Sequence, residues 1–254
     1  VPLDIESPPS ALCSMIFNLG ETYAISNSKY EKRKVPKAFI SGQAVKNYTL
    51  HLKGKISIFG VVLKPVTLFH IYNIPMFNLT GERVDLSNID EERSKGIFNQ
   101  INSASNDEIK VRVVENYLLD MIELHHNATP ELITTANWIY DEYGQTNFLK
   151  LYEEIPMSRR TFERRFLHEV GVSPKTFAKI RRFGYTCKMM AGKSNIDLMD
   201  VLHEGGYYDQ SHFIKDFKYF SGRTPRKYTR DNRELINYLD HFSVVEKRLL
   251  HNIR

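Results

Sequence analysis

Two clusters of hydrogen-bonding side chains dominate the chemistry this chain could do. Arg159, Arg160, Thr161, Glu163, Arg164 and Arg165 form the first; Gln210, Ser211, His212, Lys215 and Lys218 form the second, beginning 51 positions later. Arg and Lys reach guanine edges or phosphates, Gln pairs with adenine, and Ser and Thr bind phosphates. Such sets are suited to reading a polyanion rather than to bond making. A single cluster of this kind is most simply a solvated helix face, so the spacing between the two has to carry the argument.

That spacing belongs to a longer internal repeat. At an interval of 51, Ser158 answers to Asp209, Phe162 to Phe213, Phe166 to Phe217 and Gly171 to Gly222. Ser173-Pro174-Lys175 answers to Thr224-Pro225-Arg226, Phe177 to Tyr228, and upstream Leu151 to Leu202. Ser158 and Asp209 are N-cap residues, whose side-chain oxygens accept from the unpaired amides of a new helix. The paired Phe residues lie one turn apart and bury one face. Gly171 and Gly222 are expected to end those helices in the left-handed conformation, and Ser-Pro or Thr-Pro starts the next.

Each capped helix follows a shorter one. Phe148–Glu154 precedes a turn at Ile155-Pro156-Met157, and Ile196–Glu204 precedes a turn at Gly205-Gly206-Tyr207-Tyr208. The order helix, tight turn, capped helix is the helix-turn-helix plan, whose second helix enters the major groove. Pro174 to about Ala191 reads as one connecting helix on the order of 27 Å long. That suits the ~34 Å between successive major grooves on one duplex face, so one chain could read both.

Charge follows the same division. Residues 1–145 hold 14 basic and 17 acidic side chains, whereas residues 146–254 hold 21 and 13. The net +5 of the chain therefore comes from a basic second half, as expected if that half alone meets a polyanion. At 254 residues two domains are the first expectation, and 42% hydrophobic and 26% charged residues argue against disorder or a fibrous repeat.

The first half has a different texture. Leu12–Leu19, Tyr48–Leu52, Ile56–Leu63 and Val66–Ile71 read as strands, punctuated by Gly20, Gly42, Gly54, Pro65, Pro75 and Gly81. Helices are expected at Ser87–Asn102 and Asp107–His126. In the latter, Val111, Val114, Leu118, Met121, Ile122 and His125 keep the 3–4 spacing of an amphipathic helix, widened by Val113, Tyr117 and Leu124. Such a wide stripe fits packing within the chain or against a second copy, and both readings stand. Asn127-Ala128-Thr129-Pro130 reads as a helix start with Thr129 as cap, which places the boundary near residue 127. The expected fold is α+β in two domains. Residues 1–126 form a β-rich domain with flanking helices, and residues 127–254 an all-α domain with two helix-turn-helix units joined by a long helix.

The run Gly206-Tyr207-Tyr208-Asp209-Gln210-Ser211-His212-Phe213-Ile214-Lys215-Asp216-Phe217-Lys218, then Gly222-Arg223-Thr224-Pro225 and Tyr228, resembles the signature of the AraC/XylS transcription regulators. The resemblance spans about residues 130–230. It implies a seven-helix DNA-binding domain, with base contacts from Arg160, Glu163 and Arg164 in the first unit and Gln210, Ser211, His212 and Lys215 in the second. Ile155-Pro156-Met157 departs from the commoner small-residue turn. Members also usually end soon after the Pro-Arg-Lys-Tyr region, whereas Arg233–Ile253 continues with an amphipathic pattern of Leu235, Ile236, Leu239, Phe242, Val245, Leu249 and Leu250. Ile16–Gly20, Phe59–Pro65 and Asn78–Gly81 resemble a β-rich sensor-like region of some members. That resemblance implies effector sensing or dimerisation, names no ligand, and for an activator implies RNA polymerase as a partner beside double-stranded DNA.

Other chemistry is poorly supported. No phosphate loop, nucleophile elbow or paired-carboxylate pattern of a hydrolase is present. An enzyme whose first half is catalytic would need convergent titratable residues there, so none is expected, and neither is a cofactor. Adjacent His125 and His126 point apart on a helix and do not make a metal site. His70 and Tyr72 could line a pocket in the β-rich half, although core packing is the simpler reading. Cys13 and Cys187 are too few and too far apart for a disulfide framework, and both are expected to be packed. With no apolar run of membrane-spanning length and no secretory leader at Val1-Pro2-Leu3-Asp4, the expectation is a cytoplasmic protein without a membrane partner.

Overall fold

The computed structural model describes residues 2–124, 129–190 and 197–231. Eight strands occupy the first part: β1 (Leu3–Ser7), β2 (Cys13–Asn18), β3 (Ala24–Ser26), β4 (Arg33–Lys34), β5 (Ala38–Ser41), β6 (Tyr48–Leu52), β7 (Ile58–Leu63) and β8 (Val84–Asp85). They make two antiparallel four-stranded sheets, ordered β1-β6-β3-β4 and β7-β2-β5-β8. Three helices, α1 (Thr67–Tyr72), α2 (Glu91–Ser103) and α3 (Asp107–Leu124), follow or interrupt them.

Alternation along β2 and β5 builds two layers on either side of the second sheet. Cys13, Met15, Phe17, Ala38 and Ile40 face a core shared with Leu68 and Ile71 of α1, Ile97 and Ile101 of α2, and Val114 and Met121 of α3. Ile16 and Phe39 point the other way, toward Tyr23, Ile25 and Val35. This is the period-2 logic of a strand, with apolar residues covered on both faces.

Residues Val66–Ile71, expected as a strand, are instead mostly α1. The run is apolar without alternation, and Leu68, Phe69 and Ile71 are all buried between sheet and helices. A short buried run of this sort has no periodicity to separate strand from helix. Tyr72 lies at the end of α1 with its hydroxyl 2.8 Å from that of Tyr117 on α3, and it packs in the core. On α3, Val114 and Met121 are buried and Val113, Tyr117, Leu118 and Ile122 partly so, while Val111 and Leu124 are exposed. His125, His126 and the expected boundary near residue 127 lie outside the described residues.

The remaining described elements are helical: α4 (Pro130–Asp141), α5 (Phe148–Glu154), α6 (Arg159–Val170), α7 (Pro174–Met190), α8 (Leu198–Glu204), α9 (Gln210–Ser221) and α10 (Pro225–Asp231). Pro130 opens α4 and Thr129 occupies its N-cap position as expected, but the Thr129 side chain makes no cap hydrogen bond. Its amide and hydroxyl donate instead to the buried carboxylate of Glu169, at 2.9 and 2.7 Å. The charged acceptor on α6 orients the Thr129 hydroxyl as a donor, turned away from the first-turn amides it would otherwise accept from. The amphipathic pattern expected at Arg233–Ile253 lies outside the described residues.

One continuous apolar core runs through α4 to α10 and takes in Ala11, Val45 and Val66 from the β-rich half. The two halves meet at the C-terminal ends of α6 and α9. Thr80 donates its hydroxyl to the carbonyl of Gly171 just after α6, and Phe69 meets His168 edge-on at 5.0 Å. At α9, the amide of Asn47 donates to the Phe220 carbonyl at 3.1 Å, Lys46 lies over the Tyr219 ring, and Glu6 pairs with Arg223 just beyond.

Candidate nucleic-acid interface

The 51-residue repeat folds into two matched units. Ser158 accepts from the amide of Thr161 at 3.2 Å and Asp209 from that of His212 at 2.8 Å, so α6 and α9 are capped alike. Phe162 and Phe166 are fully buried, as are Phe213 and Phe217. In each unit the rings form a short ladder into the next helix. Centroid distances are 5.5 Å for Phe162–Phe166 and 5.7 Å for Phe166–Phe177, against 5.6 Å for Phe213–Phe217 and 5.2 Å for Phe217–Tyr228. Tilted and edge-on contacts of this length suit the ring quadrupoles and hold each helix at a defined rotation. Gly171 and Gly222 end the helices with φ of +97° and +70°, the left-handed region that a side chain resists. Ser173 and Thr224 then accept from the amides of Thr176 and Lys227, starting α7 and α10.

Fixing the buried face fixes the exposed one. Arg159, Arg160, Arg164, Gln210, Ser211, Lys215 and Lys218 are all exposed, and Thr161, Glu163 and His212 are half-buried. None of the ten residues expected to meet a ligand is hidden. α7, 17 residues long, separates the units by roughly 25 Å of helix. Since the β-rich half grips the C-terminal ends of α6 and α9, their N-terminal turns lie about 18 Å away, one 12-residue helix length from those contacts.

The side chains are not equally available. The Arg159 guanidinium donates to Glu163 at 2.9 Å and lies 4.8 Å over the Tyr152 ring, while the Tyr152 hydroxyl donates to the same carboxylate at 2.8 Å. These two bonds, the tyrosine's first, hold the Glu163 carboxyl below its ordinary range. Burial and that bond push the Tyr152 phenol up to about 12. His212 approaches the buried carboxylate of Asp216 at 3.4 Å, which Lys179 of α7 also meets at 3.0 Å. Thr161 shares a hydroxyl bond with its cap, Ser158. Arg160, Arg164, Lys215 and Lys218 make no ion pair among the described residues.

Sequence reasoning missed Tyr152 of α5, which holds Glu163 from a neighbouring helix, and Asp216, which meets His212 one turn away on α9 and Lys179 of α7. It also passed over Tyr208, which is 94% exposed immediately before the Asp209 cap while its neighbour Tyr207 is buried. Among the described residues no group of His, Cys, Asp and Glu could hold a metal ion, and no helix is long and apolar enough to cross a membrane.

Two such capped, cation-bearing helices on a common core form a pair of helix-turn-helix units, the kind of module that supports a DNA-binding transcription regulator. Residues 151–231 match the family described as helix-turn-helix domain, and this region is an AraC-type helix-turn-helix domain. Residues 4–85 match a domain of unknown function, DUF6597. No curated protein sequence matches the chain. Among solved structures, ToxT from Vibrio cholerae is similar in arrangement, with 11% identity over 90% of this chain and 97% of that one and a TM-score of 0.47. ToxT bound to (E)-4-(8-methylnaphthalen-1-yl)but-3-enoic acid gives 10% identity, coverage of 93% and 98%, and a TM-score of 0.49. The C-terminal domain of AraT, a response regulator from Geobacillus stearothermophilus, gives 19% identity, coverage of 41% and 86%, and 0.38.

Proposed function

We propose that the chain is a sequence-specific transcription activator that lays the N-terminal turns of α6 and α9 into two successive major grooves of one duplex. The observation that carries this reading is the matched pair of capped helices, tied to the β-rich half at their far ends and exposed at their near ends. Arg160 and Arg164 in the first unit, and Gln210, Ser211 and Lys215 in the second, read base edges. Arg159, Thr161, Glu163, His212 and Lys218 position the helices or meet phosphates. Arg159 and Glu163 neutralise one another, and His212 is turned toward Asp216, so none of these three is the main source of sequence choice.

Residues 1–126 act as the regulatory domain and residues 127–254 as the DNA-binding domain. The β-rich half answers an effector or partner, and RNA polymerase is the partner that activation requires. Homodimerisation through the exposed side of α3 would add a second pair of readers. Selection of sites from random duplexes, followed by competition binding, tests the reading. A specific reader prefers its selected site by about 10³-fold or more over random duplex. Equal affinity for all duplexes, with only a salt-dependent term, would replace it with non-specific binding.

A further inference from the structure

Three segments of the β-rich half, residues 27–29, 44–48 and 80–83, wall a cavity of about 80 Å³ that opens to solvent. Gly81 ties the walls together. Its amide donates to the Gln43 carbonyl at 2.9 Å, and its own carbonyl accepts from Asn27 Nδ2 at 3.2 Å and the Tyr30 hydroxyl at 3.0 Å. The φ of +74° that this geometry needs favours glycine.

The cavity lining contains Lys29, Lys46 and Arg83 and no carboxylate. Lys29 is already neutralised, 2.6 Å from Glu82, which also meets Arg33. Arg83 and Lys46 are not. Arg83 is 8% exposed, and among the described residues its guanidinium meets the carbonyl of Glu82 at 3.0 Å and the face of Tyr48 at 4.6 Å. Among the described residues no carboxylate lies within ion-pair distance of it. Among the described residues Lys46 has the Tyr219 ring, at 5.1 Å, and no carboxylate within ion-pair distance. A buried guanidinium without a counter-ion is costly, and a cavity beside it with a second unneutralised cation is where a counter-ion belongs.

We propose that this cavity binds the phosphate of a small phosphate monoester. Two free positive charges match the charge of about −1.5 to −2 that such a group carries at neutral pH. The planar fork of Arg83 can take two oxygens side by side, and Lys46 supplies a mobile point charge at the rim. The volume equals that of two or three waters at about 30 Å³ each, enough for a head group, so the rest of the molecule projects outward. The same walls hold the DNA-reading half: Lys46 covers Tyr219 of α9, and Thr80 is bonded to Gly171 after α6. Occupancy draws Lys46 inward from Tyr219 and so changes how α9 is held.

The test uses the full chain without DNA, so its failure leaves the DNA-binding reading intact. Thermal unfolding is followed against inorganic phosphate, with acetate and chloride at matched ionic strength as the other arms. Phosphate is expected to raise the midpoint saturably, by about 5–10 °C at a hundredfold excess over Kd. Lys46→Gln, at an exposed position, weakens the effect tenfold or more, and Arg83→Gln abolishes it. If Arg83→Gln does not fold, Lys46→Gln decides. Equal rises in wild type and Lys46→Gln, or no rise beyond chloride, overturn the site. An acetate response as large as the phosphate response overturns the assignment to phosphate. A phosphate monoester as ligand then lowers or raises DNA affinity in wild type but not in Lys46→Gln; duplex DNA that itself competes with phosphate for the site would show the phosphate to come from DNA instead.

Discussion

The hydroxyl of Thr80 donates to the carbonyl of Gly171 at 2.8 Å, joining residues 91 positions apart. Through that bond the β-rich half rests on the end of α6, at a carbonyl that has no partner within its own helix. The contact between Asn47 and Phe220 does the same at the second helix. Both helices are thus held from behind, which leaves their N-terminal turns exposed and gives the β-rich half a mechanical hold on each.

The two helix-ending glycines should therefore respond differently to alanine. A Cβ on Gly171 would sit 2.8 Å from the Met76 carbonyl oxygen and 2.9 Å from Thr80 Oγ1, whereas one on Gly222 meets nothing within 4 Å. Gly222→Ala carries only the left-handed backbone penalty of about 1–2 kcal/mol. Gly171→Ala adds a clash with backbone that cannot yield without opening the junction. Thermal unfolding is expected to rank Gly171→Ala well below Gly222→Ala, and limited proteolysis to cut the junction faster in the former. Equal losses would mean that the interface gives way at no cost.

Among the readers, Arg164→Ala and Lys215→Ala are expected to relax base preference, each by about 1–3 kcal/mol where the contact is bidentate to guanine. Lys218→Ala, one turn nearer the C-terminus of α9, should instead weaken all sequences evenly and reduce the salt slope by about 1. Binding to a panel of single-base variants of the selected site separates these outcomes. An even loss for Arg164→Ala would place that residue on phosphate.

The helical half was legible because its signals are local. Caps at Ser158 and Asp209, glycines at 171 and 222 and phenylalanines one turn apart each specify their own few residues, and the repeat states them twice. The β-rich half was legible only in part: the runs at Leu12–Leu19, Tyr48–Leu52 and Ile56–Leu63 hold β2, β6 and β7, but strand pairing is non-local and its topology was not readable. β3 and β4 have three and two residues, too short for any periodicity, and Val66–Ile71 offered an apolar run that burial made helical. The site was legible as a set of exposed residues but not as a hierarchy. Nothing in the spacing shows that Tyr152 restrains Glu163, or that Lys179 of α7 joins the i,i+4 pair of His212 and Asp216. The junction between Thr80 and Gly171 was invisible for the same reason: neither residue type announces a partner 91 positions away.

Glu163 restrains a cation that DNA would otherwise attract. Its carboxylate holds Arg159, and the two together present no net charge at the start of α6. Glu163→Gln keeps the shape, and its amide still accepts from Tyr152, but Arg159 is released. Affinity for every duplex is expected to rise, with a steeper dependence on salt by roughly one counter-ion, while the preference for the selected site over random duplex falls. Filter binding across a salt series measures both. If Glu163→Gln binds more weakly, the carboxylate itself contacts a base, with cytosine N4 the donor that such a contact would use.

The thiols give a prediction about pH that is independent of DNA. Cys13 is sealed in β2 and Cys187 in α7, and burial pushes each thiol from its ordinary 9.0 up to about 12. A buried thiol that keeps its proton longer than it does in the unfolded chain costs the folded state stability once the unfolded chain begins to ionise. Below pH 9 both states hold the proton and the thiols make no difference to the slope. Between about pH 9 and pH 12 the unfolded chain loses its thiol protons and the folded chain does not, so the folded state loses stability as pH rises. Denaturant unfolding of wild type at pH 8 and pH 10 should therefore show a drop that is smaller in Cys13→Ala/Cys187→Ala, and alkylation at pH 8 should track global unfolding. Prompt alkylation of either thiol in the native protein would mean that its helix or strand opens locally, at well below the cost of unfolding the whole.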